Sequence, residues 1–173
     1  MTPEEIAYDT ILEQDGKGLL YIPFANFADY TFSAVREMIT DPSGIIALGD
    51  GGAHQGSLCD TPYTTFSLKY WPNEGLSLPW IVRAMTAVPA AEIGLHDRGL
   101  IAPGYKADVN VIDYDHLVLH APKVAYDLPA GGRRIVQEAT GFDATLLSGV
   151  ITYREGKATG ALPGRLQRGP QEL

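Results

Sequence analysis

Residues 45–54 read IIALGDGGAH, an apolar run that leads directly into a glycine-rich turn with an acid and a histidine. The first four residues do not alternate between polar and apolar, which is typical of a strand buried on both faces of a parallel sheet. A second continuous apolar run at 19–24 precedes it, and residues 31–40 between them repeat apolar side chains at helical spacing. This order of strand, helix and strand predicts an α/β unit with a parallel sheet.

The N-terminal sequence carries the signals of a helix start. Thr2 is an N-cap candidate, Pro3 occupies the first helical position, and Glu5 completes a capping box. These signals predict a helix over 2–14, which places a helix before the first strand. Apolar periodicity predicts further helices over residues 61–71, 77–87 and 89–94.

The sequence pattern changes near residue 97, where glycine and proline begin to punctuate short β-like runs. The clearest of these runs are 108–114 and 143–153. Short strands between such turns are typical of an antiparallel sheet or of part of a β-sandwich. We therefore expect two parts, an α/β part over 1–96 and a β part over 97–173.

Length, charge and cysteine content exclude several classes of protein. The 173 residues are too few for a complete (β/α)₈ barrel, which needs about 250 residues. The formal charge of −8 repels phosphate backbones, so we expect no nucleic-acid partner. The single cysteine, Cys59, excludes an internal disulfide and favours a reducing cytoplasm. No apolar run approaches the roughly 18 residues that cross a membrane, so we expect a cytoplasmic protein with no membrane partner.

The predicted parallel sheet is incomplete. Two parallel strands at 19–24 and 45–48 leave long unpaired edges, which folded proteins normally cover. This indicates that more chain or a partner completes the sheet. Self-association through the exposed strand edges, giving a homo-oligomer, is the corresponding expectation.

Asp50 is the first candidate for chemistry because it follows the apolar run at 45–48. Active sites of α/β barrels and open sheets lie at the C-terminal ends of the strands. Gly51 and Gly52 allow a sharp turn and a close approach of a ligand to the backbone. His54 has three interpretations: it binds a substrate group, it pairs with Asp50, or it is a polar loop residue. Spacing alone slightly favours the alternative in which Asp50 only caps the next turn.

The residues around His54 do not have the number and sequence spacing that metal ligands need. Catalytic zinc needs about three protein ligands, and only Asp50, Cys59 and Asp60 stand near His54 in the sequence. Cys59 is interpreted as a loop thiol, because the negative charge of Asp60 raises the pKa of a neighbouring thiol and weakens it as a nucleophile. No metal ligand is therefore assigned in this chain.

His116 and His120 stand four residues apart. On a strand their side chains would face the same side, where they could together coordinate a metal ion. Leu117 and Leu119 would then face the other side. This pattern favours an ordinary half-buried edge strand over a metal site.

Four segments resemble one known family. The sequence GDGGAH at 49–54, followed by Cys59 and Asp60, resembles the strand-eight segment of amidohydrolases of the N-acyl-D-amino-acid deacylase type. The sequence DRGLIAPGYKADVNVID at 97–113 is similar to the point where the chain of that superfamily passes from its barrel to its sandwich. DLPAGGRR at 127–134 and TGALPGR at 159–165 resemble the tail of the deacylase-like branch.

The resemblance implies a fold and a role for Asp50. Residues 19–24 and 45–48 would be strands seven and eight of a metal-dependent hydrolase (β/α)₈ barrel, and 97–173 would supply the C-terminal strands of a small β-sandwich. Asp50 would accept a proton from metal-bound water and pass it to the leaving amine. His54, Gly51 and Gly52 would then be substrate-binding residues.

Departures from the family pattern limit the activity expected of this chain. The metal ligands of the family stand on earlier strands, so zinc is expected in the parent enzyme and not in this chain alone. In the family, an arginine binds the carboxylate of the substrate. This chain has no counterpart of that arginine between Asp60 and Trp71. The resemblance implies a parent enzyme that hydrolyses N-acyl amino acids, with an isolated chain that is inactive. The alternative is a non-catalytic oligomerisation or interaction module.

Overall fold

The computed structural model describes residues 1–22, 26–27, 29–47, 54, 56–57 and 59–173. The first helix, α1 (Pro3–Gly16), begins at the capping box that the sequence predicts. The backbone N–H of Thr2 donates to Glu5 Oε2 at 2.7 Å, and the N–H of Glu5 donates to Thr2 Oγ1 at 3.3 Å. The helix prediction is thus confirmed, although α1 leaves regular helical geometry at 13–15 and buries none of its residues.

The two apolar runs form no strand in their described residues, 19–22 and 45–47. The prediction of barrel strands seven and eight is wrong for these residues, and the remaining residues of both runs lie outside the described residues. A parallel strand takes its backbone hydrogen bonds from neighbouring strands. The described residues before 97 contain no strand that could provide them. Tyr21 is 80% exposed as a result, instead of buried.

The described residues contain four further helices, which confirm the helical predictions with ends shifted by up to two residues. They are α2 (Ser33–Thr40), α3 (Tyr63–Asn73), α4 (Leu78–Met85) and α5 (Ala87–Glu92). Helix α4 begins where the Ser77 hydroxyl accepts the N–H of Trp80 at 3.4 Å, an N-cap that satisfies one free donor of the first turn. Among the described residues, no helix has the length and hydropathy of a membrane-spanning segment.

Within residues 59–173, all of which the structure describes, the strands pair only with antiparallel neighbours. They are β1 (Val109–Ile112), β2 (Val118–Leu119), β3 (Lys123–Leu128), β4 (Gly132–Val136), β5 (Ala139–Thr140), β6 (Phe142–Leu147), β7 (Val150–Arg154) and β8 (Lys157–Ala158). One sheet has the order β1-β6-β7-β8, and β3-β4 and β2-β5 form two smaller ladders. The antiparallel prediction is confirmed, whereas the β-sandwich stays a prediction.

The buried core joins the helices to the β part. Leu68 and Trp71 of α3 pack with Ile81 of α4 and with Leu117, which precedes β2. Ile81 and Leu117 are 0% and 1% exposed. Gly141 permits this position of Leu117, because a Cβ at Gly141 would lie 2.7 Å from the Leu117 Cα.

Candidate functional site

The predicted catalytic segment is only partly described. Asp50, Gly51 and Gly52 lie outside the described residues, so their roles stay predictions. His54 is described and lies exposed in a turn. Its carbonyl oxygen accepts the backbone N–H of Ser57 at 2.8 Å and the Ser57 hydroxyl at 3.3 Å. This turn holds the backbone of His54 at the surface.

A cavity of about 310 Å³ lies where the chain leaves this turn and enters helix α3. We call it the α3 cavity. Strands β4 and β5 form its opposite wall. The polar groups that line it come from Cys59, Thr61, Thr64, Thr65, Arg134 and Gln137. Its volume is near the lower end of the usual range for small-molecule sites, and these polar residues make up more than half of its lining.

The Cys59 thiol at the edge of this cavity is protonated at neutral pH. Burial raises its pKa, and the charge of Asp60 raises it further. Its Sγ donates to Gln137 Oε1 at 3.4 Å. The sequence predicted a raised pKa for this thiol, and that direction is confirmed. The larger cause of the raised pKa is burial, which the sequence did not indicate. A protonated thiol is a poor nucleophile and a poor metal ligand.

Arg134 brings a cation to the α3 cavity from strand β4. Its Nε and Nη2 donate to Asp127 Oδ1 and Oδ2 at 2.8 and 2.7 Å, across the β3–β4 hairpin. The hydrogen bonds and the charge of Arg134 lower the pKa of Asp127, and Asp127 in turn raises the pKa of Arg134. Both residues stand within the segment 127–134 that carries the deacylase resemblance, yet sequence reasoning assigned neither of them a place at a cavity.

A second, more open cavity of about 500 Å³ lies farther along α3 and shares Leu119 with the α3 cavity. Phe66 and Tyr70 line it with stacked rings whose centroids are 4.9 Å apart. Lys69 also lines it, with Nζ 4.9 Å from the centroid of the Tyr114 ring, a cation–π contact. Tyr70 also packs against the buried core, and Phe66 contacts Phe32, which packs there as well.

The two histidines of the predicted edge strand do not meet at one site. His116 Nδ1 lies 2.7 Å from Asp113 Oδ2, and His120 Nε2 lies 3.1 Å from Thr140 Oγ1. The hydrogen bond with Asp113 and its charge raise the pKa of His116, and the same hydrogen bond lowers the pKa of Asp113. Leu117 is buried. The edge strand is shorter than the sequence predicts, because β2 spans only Val118–Leu119 and His116 lies in a turn before it.

The described residues do not fit a catalytic zinc ion. Nowhere in the described ranges do three His, Cys, Asp or Glu side chains come close enough together to hold a metal. Asp50 lies outside these ranges. No metal-dependent step is therefore derived from the described residues.

Comparison with known proteins identifies the family. The model of the amidohydrolase family matches residues 8–157. The chain belongs to the amidohydrolase family. This confirms the superfamily that the sequence resembles, whereas the deacylase branch stays a prediction.

One curated relative of this amidohydrolase is adenine deaminase 1 of Rhizobium meliloti (strain 1021). The two are 35% identical over 99 residues, which cover 50% of this chain and 17% of the deaminase. The amidohydrolase chain therefore corresponds to a small share of that relative. No solved structure matches the chain.

Proposed function

We propose that this amidohydrolase is the C-terminal portion of a cytoplasmic, zinc-dependent enzyme that hydrolyses the amide bond of N-acyl amino acids, of D configuration. The family match over residues 8–157 carries the proposal. The segments 127–134 and 159–165, which resemble the deacylase branch, support the substrate class. The unpaired Cys59 thiol fits a reducing compartment.

Asp50 has the central role in this proposal. It takes a proton from the attacking water and delivers it to the nitrogen of the leaving amine, while the water oxygen bonds to the acyl carbon and the C–N bond breaks. His54, Gly51 and Gly52 bind the substrate beside it. The products are a carboxylate and a free amino acid. Zinc would be held by residues other than the described ones, which do not fit it.

The first test is zinc content and hydrolysis of N-acetyl-D- and N-acetyl-L-methionine by the purified 173-residue chain. Neither bound zinc nor turnover is expected. Stoichiometric zinc, together with amide hydrolysis that Asp50→Asn abolishes, would show that the chain is an enzyme by itself.

The role of Asp50 is tested in a chimera. Residues 8–157 replace the corresponding segment of an intact deacylase of the family. In this chimera Asp50→Asn is expected to lower kcat by about 10²–10⁴-fold while zinc content is unchanged, because the variant removes a proton carrier only. Asp9→Asn, at an exposed carboxylate of α1, is the matched control and is expected to leave kcat unchanged. Equal kcat for Asp50→Asn and the control would contradict the assignment.

A second candidate function is hydrolytic deamination of a purine, supported by the 35% identity to adenine deaminase 1. The same residues 8–157 can be placed in that deaminase. Retained ammonia release from adenine in this host, with loss of amide hydrolysis in the deacylase host, would favour deamination. The opposite result would favour the deacylase.

A further inference from the structure

The start of helix α3 leaves backbone donors open. The N–H of Tyr63 donates to the Asp60 carbonyl oxygen at 3.0 Å, whereas the N–H groups of Thr64 and Thr65 have no acceptor among the described residues. Pro62, at the N-cap position, makes no side-chain hydrogen bond to the first turn. Two donors therefore remain at the positive end of the dipole of this 11-residue helix, which is a position that favours an anion.

The Thr65 hydroxyl is a second, independent donor at the same place. Thr65 is only 6% exposed, and it lines the α3 cavity. The hydroxyls of Thr40 and Thr86 donate to the main-chain oxygen four residues earlier at 2.8 and 2.7 Å, but the Thr65 hydroxyl has no such bond and no other partner among the described residues.

The accessible space that the Thr65 hydroxyl reaches is the α3 cavity. Within the described ranges, every wholly buried side-chain nitrogen or oxygen has a hydrogen-bond partner. The unpartnered Thr65 hydroxyl is therefore not sealed in the core, and the cavity is the open space that Thr65 lines. Because buried hydroxyls are normally hydrogen-bonded, this one points to a group that enters the cavity.

Arg134 brings a positive charge to the same cavity from strand β4. Its Nε and Nη2 donate to Asp127 at 2.8 and 2.7 Å, which fixes the plane of the guanidinium. Its Nη1, which carries two further N–H donors, makes no hydrogen bond to a described residue. Donors from a helix and from a strand therefore line one cavity.

Gln137 of the cavity is already engaged by protein groups. Its Oε1 accepts from Cys59 Sγ at 3.4 Å, and its Nε2 donates to the His120 carbonyl oxygen at 2.7 Å. The polar groups that stay open to a ligand are the two N–H groups of α3, Nη1 of Arg134 and the Thr65 hydroxyl. All of them can donate, so the ligand that fits them is an acceptor with negative charge.

We propose that the α3 cavity binds a small oxyanion, a phosphate or carboxylate group, between the start of helix α3 and Arg134. The oxyanion accepts the N–H groups of Thr64 and Thr65 and the Thr65 hydroxyl, and Nη1 of Arg134 donates to it from the other side. The proposal does not rest on the proposed function, because Asp50 and the segment around it take no part in this site.

The test is a titration of the full 173-residue chain with sodium phosphate and with sodium acetate, followed by ¹H–¹⁵N NMR. Sodium chloride at the same ionic strength is the control. Saturable shifts of the Thr64 and Thr65 amide signals are expected with at least one oxyanion and not with chloride. Tighter binding of acetate would identify a carboxylate as the ligand group, and tighter binding of phosphate would identify a phosphate.

Two pairs of variants test the side chains. Thr65→Val removes the hydroxyl with little change of shape and is expected to weaken binding by about tenfold or more, whereas Thr65→Ser keeps the hydroxyl and is expected to keep most of the affinity. Arg134→Gln is expected to weaken binding by a similar factor. Arg133→Gln removes the same charge from an exposed neighbour on β4 that does not line the cavity, and it is expected to leave binding unchanged.

Circular dichroism and Tm check the fold of each variant. Arg134→Gln also breaks the pair with Asp127, so if that variant unfolds, the two Thr65 variants and the wild-type titration decide. Absence of saturable shifts with both oxyanions, an equal response to chloride, or equal weakening by Thr65→Val and Thr65→Ser would overturn the proposal. A chain that binds an oxyanion here but gives an inactive deacylase chimera would leave this site intact and count against the proposed function alone.

Discussion

The hydroxyl of Tyr114 donates to the main-chain oxygen of Leu68 at 2.8 Å. In a regular helix this oxygen would accept the N–H of the residue four positions later, which here is Pro72 and has no N–H. Tyr114 therefore supplies the donor that helix α3 lacks. Because Leu68 is buried, its carbonyl would otherwise lose its hydrogen bond in the core.

Tyr114→Phe is expected to lower the free energy of unfolding by about 1–3 kcal/mol, since it leaves a buried acceptor without a donor. The ring contact with Lys69 is retained by phenylalanine. Urea unfolding of the wild-type and variant chains measures the difference.

Pro72→Ala provides the matched background. An alanine at this position has an N–H for the Leu68 oxygen, so Tyr114→Phe is expected to cost less than about 0.5 kcal/mol there. An equal cost in both backgrounds would mean that the Tyr114 hydroxyl does not compensate for Pro72.

The pair of His116 and Asp113 predicts a pH dependence with two limits. Asp113 raises the pKa of His116, so the contribution of His116 to stability is complete below about pH 6.5 and is lost as the pH rises through the folded pKa. His116 lowers the pKa of Asp113, so the contribution of Asp113 is present above about pH 3.9 and is lost as the pH falls through its folded pKa. The pair therefore stabilises the fold most between these limits.

An NMR titration of the His116 ring is the direct measurement. Asp113→Asn is expected to lower the pKa of His116, because it removes the hydrogen-bonded charge. Asp115→Asn is the control and is expected to lower it less, since Asp115 acts on His116 only through its charge. An unchanged His116 pKa in Asp113→Asn would refute the pairing.

Local signals in the sequence were enough to predict much of the fold. The capping box of Thr2 and Glu5 depends on residues three apart, and it forms as expected. The helices and the antiparallel strands follow from periodicity and turn residues over short ranges. A strand at 19–22 depends on neighbouring strands elsewhere, so the apolar run alone did not determine its structure.

The candidate site was less predictable for the same physical reason. Arg134 reaches the α3 cavity because the β3–β4 hairpin packs opposite helix α3, and no spacing in the sequence relates it to Cys59. The sequence indicated the effect of Asp60 on the Cys59 thiol, but burial of that thiol follows from tertiary packing. The role of Asp50 rests on resemblance and remains a prediction, because Asp50 lies outside the described residues.

Gly141→Ala is expected to destabilise the fold by more than Gly156→Ala. Both glycines have positive φ, +99° and +73°, so each substitution strains the backbone by about 1–2 kcal/mol. At Gly141 the new Cβ would also lie 2.7 Å from the Leu117 Cα, whereas nothing lies within 4 Å of it at Gly156. Relief of that overlap moves Leu117 out of the core, which adds about 1–3 kcal/mol. Thermal unfolding of both variants measures the difference, and equal Tm values would show that the contact between Gly141 and Leu117 does not hold the core together.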